Sequence, residues 1–484
     1  MRYNALRVLD RARATVSRPV IEPSFPPRRQ AATRAVLDLR TRAADTAVAV
    51  ADRLADPATL SAISAASAHS LGVRDSWEPL SLTTGYPGVA ILHAQTGDPD
   101  VAYEHLRAAR HVDPGPATTS VCHGFGAFVA AVAVVARETG DYQQLLRQGE
   151  RWLADTAVVA VRDQRERLAR GDWLNHRQWN AHFGVAGPGR LLLEAVTDGR
   201  DEHLPALREV LELLVVLAQP RPIRPDRVPQ RPGAASAPTR PGWWTPAADP
   251  ARPRGAAELG AAYGICGPLA LLALAGAADV WVAGQRDAIA LVGDGLLTWR
   301  TATHRWPNAV FPNVYQPSAP DLADASWALG TAGIARALWF AGVALEDSRL
   351  CAAGVDALAA LASQPSTSWP LQGPTVWHGR AGLLAVATRV AAESGSPAVI
   401  RLAEDTAGAL LADYQDDTPW GFQNDSMAPS PAAGARDVPG LLVGAAGAAL
   451  ALREWADTPS PPHRPTPGCR SAAGPAWGLP LLID

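Results

Sequence analysis

The sequence predicts an all-α fold, an α/α toroid of seven helical hairpins. Three observations carry this. A Gly-x-x-Gly pair recurs along the chain. Each copy runs on into an almost wholly apolar helical segment. The stretch between copies is mostly long enough for two helices and their loops.

The copies in order are Gly85-Tyr-Pro-Gly88, His123-Gly-Phe-Gly126 (whose first glycine is replaced), Gly184-Val-Ala-Gly187, Gly264-Ile-Cys-Gly267, Gly330-Thr-Ala-Gly333, Gly379-Arg-Ala-Gly382 and Gly444-Ala-Ala-Gly447. They lead into segments such as GVAILHAQTGD, GAFVAAVAVVARETGD, GIARALWFAGVALED and GLLAVATRVAAESGS. Several of these end in Gly or Gly-Asp, a helix stop signal. The glycines at the helix starts allow tight turns and close packing of neighbours. Helices apolar on every side belong inside a ring, and amphipathic ones such as 209–217 and 401–414 outside it. Period-two alternation is scarce, so strands are not expected.

Residues 1–76 read as an N-terminal helical segment of the ring and 77–457 as the toroid. A Pro/Arg-rich insertion at 219–254 lacks too many backbone donors to be helical and reads as an extended, mobile segment. Residues 458–484 form a Pro-rich tail whose apolar end, AWGLPLLID, is expected to pack back on the ring.

The formal net charge is −3, which gives no electrostatic reason to expect nucleic acid or an anionic membrane surface as a partner. The four cysteines, Cys122, Cys266, Cys351 and Cys469, are scattered and form no CxxC pair. They do not read as a disulfide framework, and a reducing cytoplasm fits best. The N-terminus carries charges throughout and lacks the apolar core of a secretory signal. Residues 259–278 are uncharged over about the length that spans a bilayer, but Gly260, Gly264, Gly267, Pro268 and Gly276 break the run, so no membrane span is expected.

The glycine series and two local motifs resemble the lanthionine cyclase (LanC-like) family from about residue 77 onward. In that family the fifth repeat carries Trp-Cys-Tyr-Gly and the sixth Cys-His-Gly, and the two cysteines and the histidine bind zinc. Here the fifth repeat reads Ser326-Trp327-Ala328-Leu329-Gly330 and the sixth Val376-Trp377-His378-Gly379. Trp327, the glycines and His378 match. Ala328 and Trp377 stand where the resemblance implies ligand cysteines. Tyr263, before Gly264, stands where the family has an acid–base histidine, and Asn180, four residues before Gly184, where it has an aspartate.

The resemblance implies addition of a peptide cysteine thiol to dehydroalanine or dehydrobutyrine. That reaction needs a thiolate, a polarised acceptor carbonyl and a proton for the enolate carbon. One histidine falls short of the three or so protein ligands that catalytic zinc wants, so no metal or other cofactor is expected. A positioned base then takes over the thiol proton. This makes His378 the candidate base, Tyr263 a donor to the enolate or its carbonyl, and Asn180 a donor to the same oxygen. Packing and capping account for Tyr263 and Asn180 equally well. Trp377 and Trp327 suit either core filling or substrate stacking. Cys122-His123-Gly124 looks like the family's Cys-His-Gly in the wrong repeat. It reads as a relocated site with Cys266, a Cys–His nucleophile or a substrate contact, against the plainer reading of a buried thiol and a loop histidine. His176, His182 and His304 fall in loops near the expected mouth and are unassigned.

Two function classes follow. One is a metal-independent cyclase acting on a precursor peptide beside separate kinase and lyase modification enzymes. The other is an inactive scaffold that binds the same peptide or enzymes. A third, another α/α-toroid enzyme such as a glycosidase or a terpene cyclase, finds only Glu258, Asp324 and Asp425 as loose acidic candidates.

Overall fold

The computed structural model describes residues 27–222, 239–246, 255–310, 322–424, 434–459 and 476–484. The chain divides into two compact units, 1–38 and 39–484. Within the first, the described part is the beginning of helix α1 (Pro27–Arg53), which runs on into the second.

The second unit continues with α2 (Pro57–Ser70), α3 (Tyr86–Thr96), α4 (Pro99–Arg110), α5 (Gly124–Thr139), α6 (Gln143–Ala169), a single turn α7 (His176–Trp179), α8 (Ala186–Thr197), α9 (Leu204–Ala218), α10 (Cys266–Ala277), α11 (Gln285–Trp299), α12 (Thr331–Leu345), α13 (Ser348–Ala362), α14 (Arg380–Ser394), α15 (Pro397–Ala412) and α16 (Ala445–Asp457). Helices α3, α5, α8, α10, α12, α14 and α16 pack side by side in that order, and α16 packs on α3, so the inner ring closes. Helices α4, α6, α9, α11, α13 and α15 return outside their inner partners. The end of α16 is held by a residue from the other end of the sequence. Arg40 on α1 donates to the carbonyls of Trp455 and Ala456 at 2.8 and 3.1 Å and lies over the Trp455 ring.

The inner helices are Ala/Leu/Val-rich and buried on nearly every side, as in α12, where Thr331 to Gly342 are all buried. Their ends follow the expected chemistry. Gly97 and Gly140 end α3 and α5 in the left-handed conformation, and Asp98 caps α4 by accepting from the Val101 N–H.

Of the two reasons expected for the repeated glycines, close packing rather than a glycine-only turn angle is the one the geometry favours. Gly330, Gly379 and Gly444 adopt ordinary extended angles. What excludes a side chain is close approach. A β-carbon on Gly333, Gly382 or Gly447 would sit 2.0, 2.0 or 1.9 Å from the carbonyl oxygen six residues earlier, on Trp327, Val376 or Leu441. Each inner helix is thus set directly on the loop that precedes it.

Those loops join in a belt of hydrogen bonds. Leu82 donates to the Cys122 carbonyl (2.9 Å), His182 to Ala262 (3.2 Å), Ala262 to Ala328 (2.9 Å), Ala328 to Trp377 (3.2 Å), Trp377 to Leu442 (2.9 Å) and Leu442 back to Leu82 (3.2 Å), all through backbone groups. The remaining gap is bridged by the Ser120 hydroxyl, which donates to the His182 carbonyl at 2.6 Å and accepts from the Cys122 N–H at 3.1 Å.

The C-terminal segment packs back on the ring as expected. A 3₁₀ turn at Ala476–Leu481 is buried among α3, α5 and α8. Buried ion pairs hold it. Arg336 bonds Glu393 at 2.9 Å and the Ile483 carbonyl at 2.8 Å. Arg389 bonds Glu454 at 2.6 Å and also pairs with Asp484, and the Trp477 indole donates to Glu454 at 2.9 Å.

Strands are confined to three antiparallel pairs of two residues each among the described residues. One pairs Arg221–Pro222 with Thr239–Arg240 at the base of the Pro/Arg-rich insertion; residues 241–246 of the insertion bury Trp243 and Trp244 against the ring, a correction to the expectation of a mobile segment there, while 223–238 and 247–254, like 460–475 of the tail, lie outside the described residues. Of the cysteines, Cys122 and Cys266 are free and buried. Cys351 is disulfide-bonded, a correction to the expectation of scattered free thiols. Cys469 lies outside the described residues. No helix among the described residues is long and apolar enough to cross a membrane.

Candidate functional site

The belt carries the candidate site. Trp377 and Ala328 are belt residues, and Tyr263 and His378 each follow one directly. The fold brings most of these side chains together. The Trp377 ring lies 5.4 Å from that of Tyr263, 5.7 Å from Trp327 and 6.1 Å from His378, centroid to centroid. Trp327 and Trp377 are buried, while Tyr263 and His378 keep part of their surface open.

His378 Nδ1 faces Asp324 Oδ2 at 3.8 Å, an ion-pair distance too long for a hydrogen bond. The other oxygen of Asp324 is held by the Ser326 N–H and hydroxyl at 2.9 and 2.6 Å, which fixes the carboxylate. Burial pushes the Tyr263 phenol up to about 12, so it remains protonated and able to donate at neutral pH.

Asn180 is fully buried, and its Oδ1 accepts from the Phe183 and Gly184 N–H groups at 2.8 and 3.2 Å. It shapes the third-repeat turn. Its amide nitrogen has no hydrogen-bond partner in the structure.

The residues at the inherited metal position do not fit zinc. Ala328 offers no ligand atom, the indole of Trp377 is a hydrogen-bond donor rather than a metal ligand, and His378 alone supplies one donor where about three are needed. Among the described residues no three His, Cys, Asp or Glu side chains gather in a way that could hold a metal ion. Cys122 and Cys266 therefore form no such cluster. Burial pushes the Cys122 thiol up to about 12 and the Cys266 thiol further still, which disfavours a thiolate at either. His123 does not turn to the Cys122 thiol; its nitrogens face Glu78 and His182.

His182 is unassigned by the sequence, yet it lies at the centre of the cluster. It is a belt residue, in the register of Ala328 and Trp377 two positions before the first glycine of each repeat. That register was the available signal. Its ring stands edge-on to Trp377 (4.6 Å), Phe183 (4.2 Å) and Tyr263 (5.6 Å). Arg177 lies over the Phe183 ring at 4.1 Å, and His176 stands 6.0 Å from Tyr263. Burial first, then the neighbouring His123 and Arg177, holds His182 well below the ordinary histidine range. Glu78, another residue that no sequence motif marks, is held below the usual carboxylate range chiefly by its hydrogen bond with His123. His304 closes a turn on the Thr301 carbonyl. Of the acidic candidates for a glycosidase, Asp324 is engaged with Ser326 and His378, and Asp425 lies outside the described residues.

Comparison with known proteins agrees with this architecture. The family model of lanthionine synthetase C-like proteins matches residues 76–460. Among solved structures the chain is similar to nisin cyclase, with a TM-score of 0.62 at 14% identity, covering 88% of this chain and 97% of that one. No curated protein sequence matches at a significant level.

Proposed function

Because the chain belongs to the lanthionine synthetase C-like family, we propose that it joins cysteine thiols of a precursor peptide to dehydroalanine or dehydrobutyrine, forming thioether rings, and does so without zinc at the inherited position. The observation that supports this reading is the meeting of Tyr263, Trp377 and His378 on one hydrogen-bonded belt, at the positions where the family keeps its chemistry.

The geometry supports the following roles. His378, beside the fixed Asp324 carboxylate, takes the thiol proton. A free thiol is already a few per cent ionised at neutral pH, and a positioned base adds about 10²–10⁴ in rate. The Tyr263 phenol donates to the acceptor carbonyl as negative charge builds there. Trp377 and Trp327 present an apolar wall to the dehydroamino acid. The Asn180 amide nitrogen has a lesser part, as a donor from behind the third-repeat turn. The dehydroamino acids come from separate kinase- and lyase-type enzymes, and the setting is the cytoplasm.

Filling of the metal position by Trp377 favours a second reading, an inactive ring that holds the precursor peptide or the modification enzymes. Mass spectrometry with thiol alkylation on a dehydrated precursor peptide separates the two. A cyclase speeds the loss of alkylatable thiols. A scaffold binds the peptide and leaves the thiol count unchanged.

A further inference from the structure

With Tyr263 given to the acceptor carbonyl, the cyclase reaction leaves one step without a residue, the delivery of a proton to the α-carbon of the enolate. Beside Tyr263 and Trp377 three side chains form a continuous line from rim to interior. Glu78 Oε2 lies 2.8 Å from His123 Nδ1, and His123 Nε2 lies 3.1 Å from His182 Nε2. Side-chain exposure falls from 60% at Glu78 to 28% at His123, and His182 is only 5% exposed. The inner end of the line, His182 Nδ1, is buried and meets no hydrogen-bond partner. Buried polar atoms are rarely left unpaired without a reason. This one belongs to a ring whose backbone is fixed on both sides, by Ser120 and by Ala262, and whose faces and edges meet Trp377, Tyr263 and Phe183.

Resting on the cyclase reading, we infer that Glu78, His123 and His182 form a proton relay, with His182 Nδ1 delivering the proton that completes the α-carbon. In the step, the Nδ1–H bond of His182 breaks as the C–H bond forms. His182 Nε2 takes the proton that His123 held on Nε2, and His123 keeps its Nδ1 proton donated to Glu78. The proton taken from the thiol by His378 returns through water to His182 Nδ1 as His182 Nε2 hands its proton back to His123 Nε2, so every group regains its starting proton with nothing oxidised or reduced.

The relay has a physical reason. A buried imidazole next to His123 and Arg177 is a poor place for positive charge. Passing one proton in as another passes out keeps His182 neutral at both ends of the step. The charge rests instead on the partly open His123, against the Glu78 carboxylate.

The test uses the full chain and a synthetic peptide with one cysteine and one dehydroalanine, reading both thiol loss and the ratio of the two α-carbon epimers. An enolate is planar, so protonation from bulk water yields both epimers and protonation from a fixed group yields one. The wild type should give a single epimer. His182→Gln should consume thiol at least about tenfold more slowly and give both epimers. Glu78→Gln, at the exposed rim where folding is not at stake, should move rate and ratio the same way by less. His378→Ala should slow thiol loss yet keep the single epimer. A single epimer at the wild-type rate from both His182→Gln and Glu78→Gln overturns the relay while leaving the cyclase reading intact. Failure of the wild type to consume thiol overturns the cyclase reading, and the relay with it.

Discussion

Ala328 donates its backbone N–H to the carbonyl of Trp377 at 3.2 Å, so the two positions where the family resemblance implies ligand cysteines are direct neighbours across two repeats. His378 follows Trp377 in the chain. Restoring Ala328→Cys and Trp377→Cys together would supply two thiolates and one imidazole, a sufficient set for a catalytic zinc with an open position. Elemental analysis should find well under one zinc per wild-type chain, about the same in either single variant, and close to one in the double variant. Chelator should lower the melting temperature of the double variant only. Stoichiometric zinc in the wild type would sink this expectation.

Kinetics should separate the two partly open groups of the cluster. His378→Ala should slow cyclisation by at least about 10², the lower end for a lost general base. Tyr263→Phe removes one hydroxyl and keeps the ring stacked on its neighbours. It should cost about 10²–10³ in turnover, as for loss of one donor to a developing oxyanion. Neither should weaken peptide binding much, since the contacts away from the reacting centre are untouched. Steady-state rates with binding by fluorescence anisotropy check both, and wild-type rates in both variants would move the site elsewhere.

The fold was largely legible because one steric rule repeats. Each second glycine seats a helix on a carbonyl six residues earlier, and Gly333, Gly382 and Gly447 obey it alike. The repeat register marked Trp327, Trp377, His378 and Tyr263, two as matches to the family motif and two as departures from it, and the fold gathers all four around the Trp377 ring. The candidate site was not legible at Glu78 or His182, nor in the line these form with His123, because the three come from successive repeats and meet only once the belt closes. His123 stands out in the sequence for its neighbour Cys122, yet its ring turns the other way. The contact of Arg40 with the end of α16 is hidden for a similar reason: the partners lie more than 400 residues apart in sequence, and no local pattern marks them.

Acid should destabilise the outer layer through His105. This residue is fully buried on α4, bonds the Leu54 carbonyl at 3.0 Å and stacks on His93. Burial, then the nearby His93, pushes it down to about 3. The unfolded chain, near 6.5 at this residue, binds the proton more readily than the folded one. Its stabilising contribution is therefore complete above about 6.5 and is lost as pH falls from there toward 3. Every tenfold difference in proton affinity between the folded and unfolded chain is worth roughly 1.4 kcal/mol, so the total is a few kcal/mol. His105→Gln keeps a donor for Leu54 and removes the titration. Its denaturation midpoint should fall less steeply between pH 6.5 and 4 than that of the wild type; parallel curves would exclude His105 as the cause.

The pair Arg336–Glu393 ties α12 to α14 and, through the Ile483 carbonyl, to the C-terminal segment. Both side chains are almost wholly inaccessible, at 2% and 1% exposure. Bringing two charges out of water costs much of what their attraction returns, so such a pair adds little stability over a well-packed apolar substitute. Its members depend on each other, however. Glu393→Gln leaves the Arg336 charge buried without its counterion, and Arg336→Met takes the guanidinium that Glu393 bonds through both its oxygens out of the buried site. Each should cost about 3–5 kcal/mol. The combination of Arg336→Met and Glu393→Leu removes both charges and should cost clearly less than either alone. Arg336→Met should also free the carbonyl of Ile483, so limited proteolysis should clip the C-terminal segment faster in that variant than in Glu393→Gln. Urea unfolding of the wild type, Arg336→Met, Glu393→Leu and their combination, read as a double-mutant cycle with Glu393→Gln measured beside it, checks the energies. If the double variant is the least stable of the set, the pair is stabilising beyond its mutual neutralisation, and the expectation drawn from desolvation is wrong.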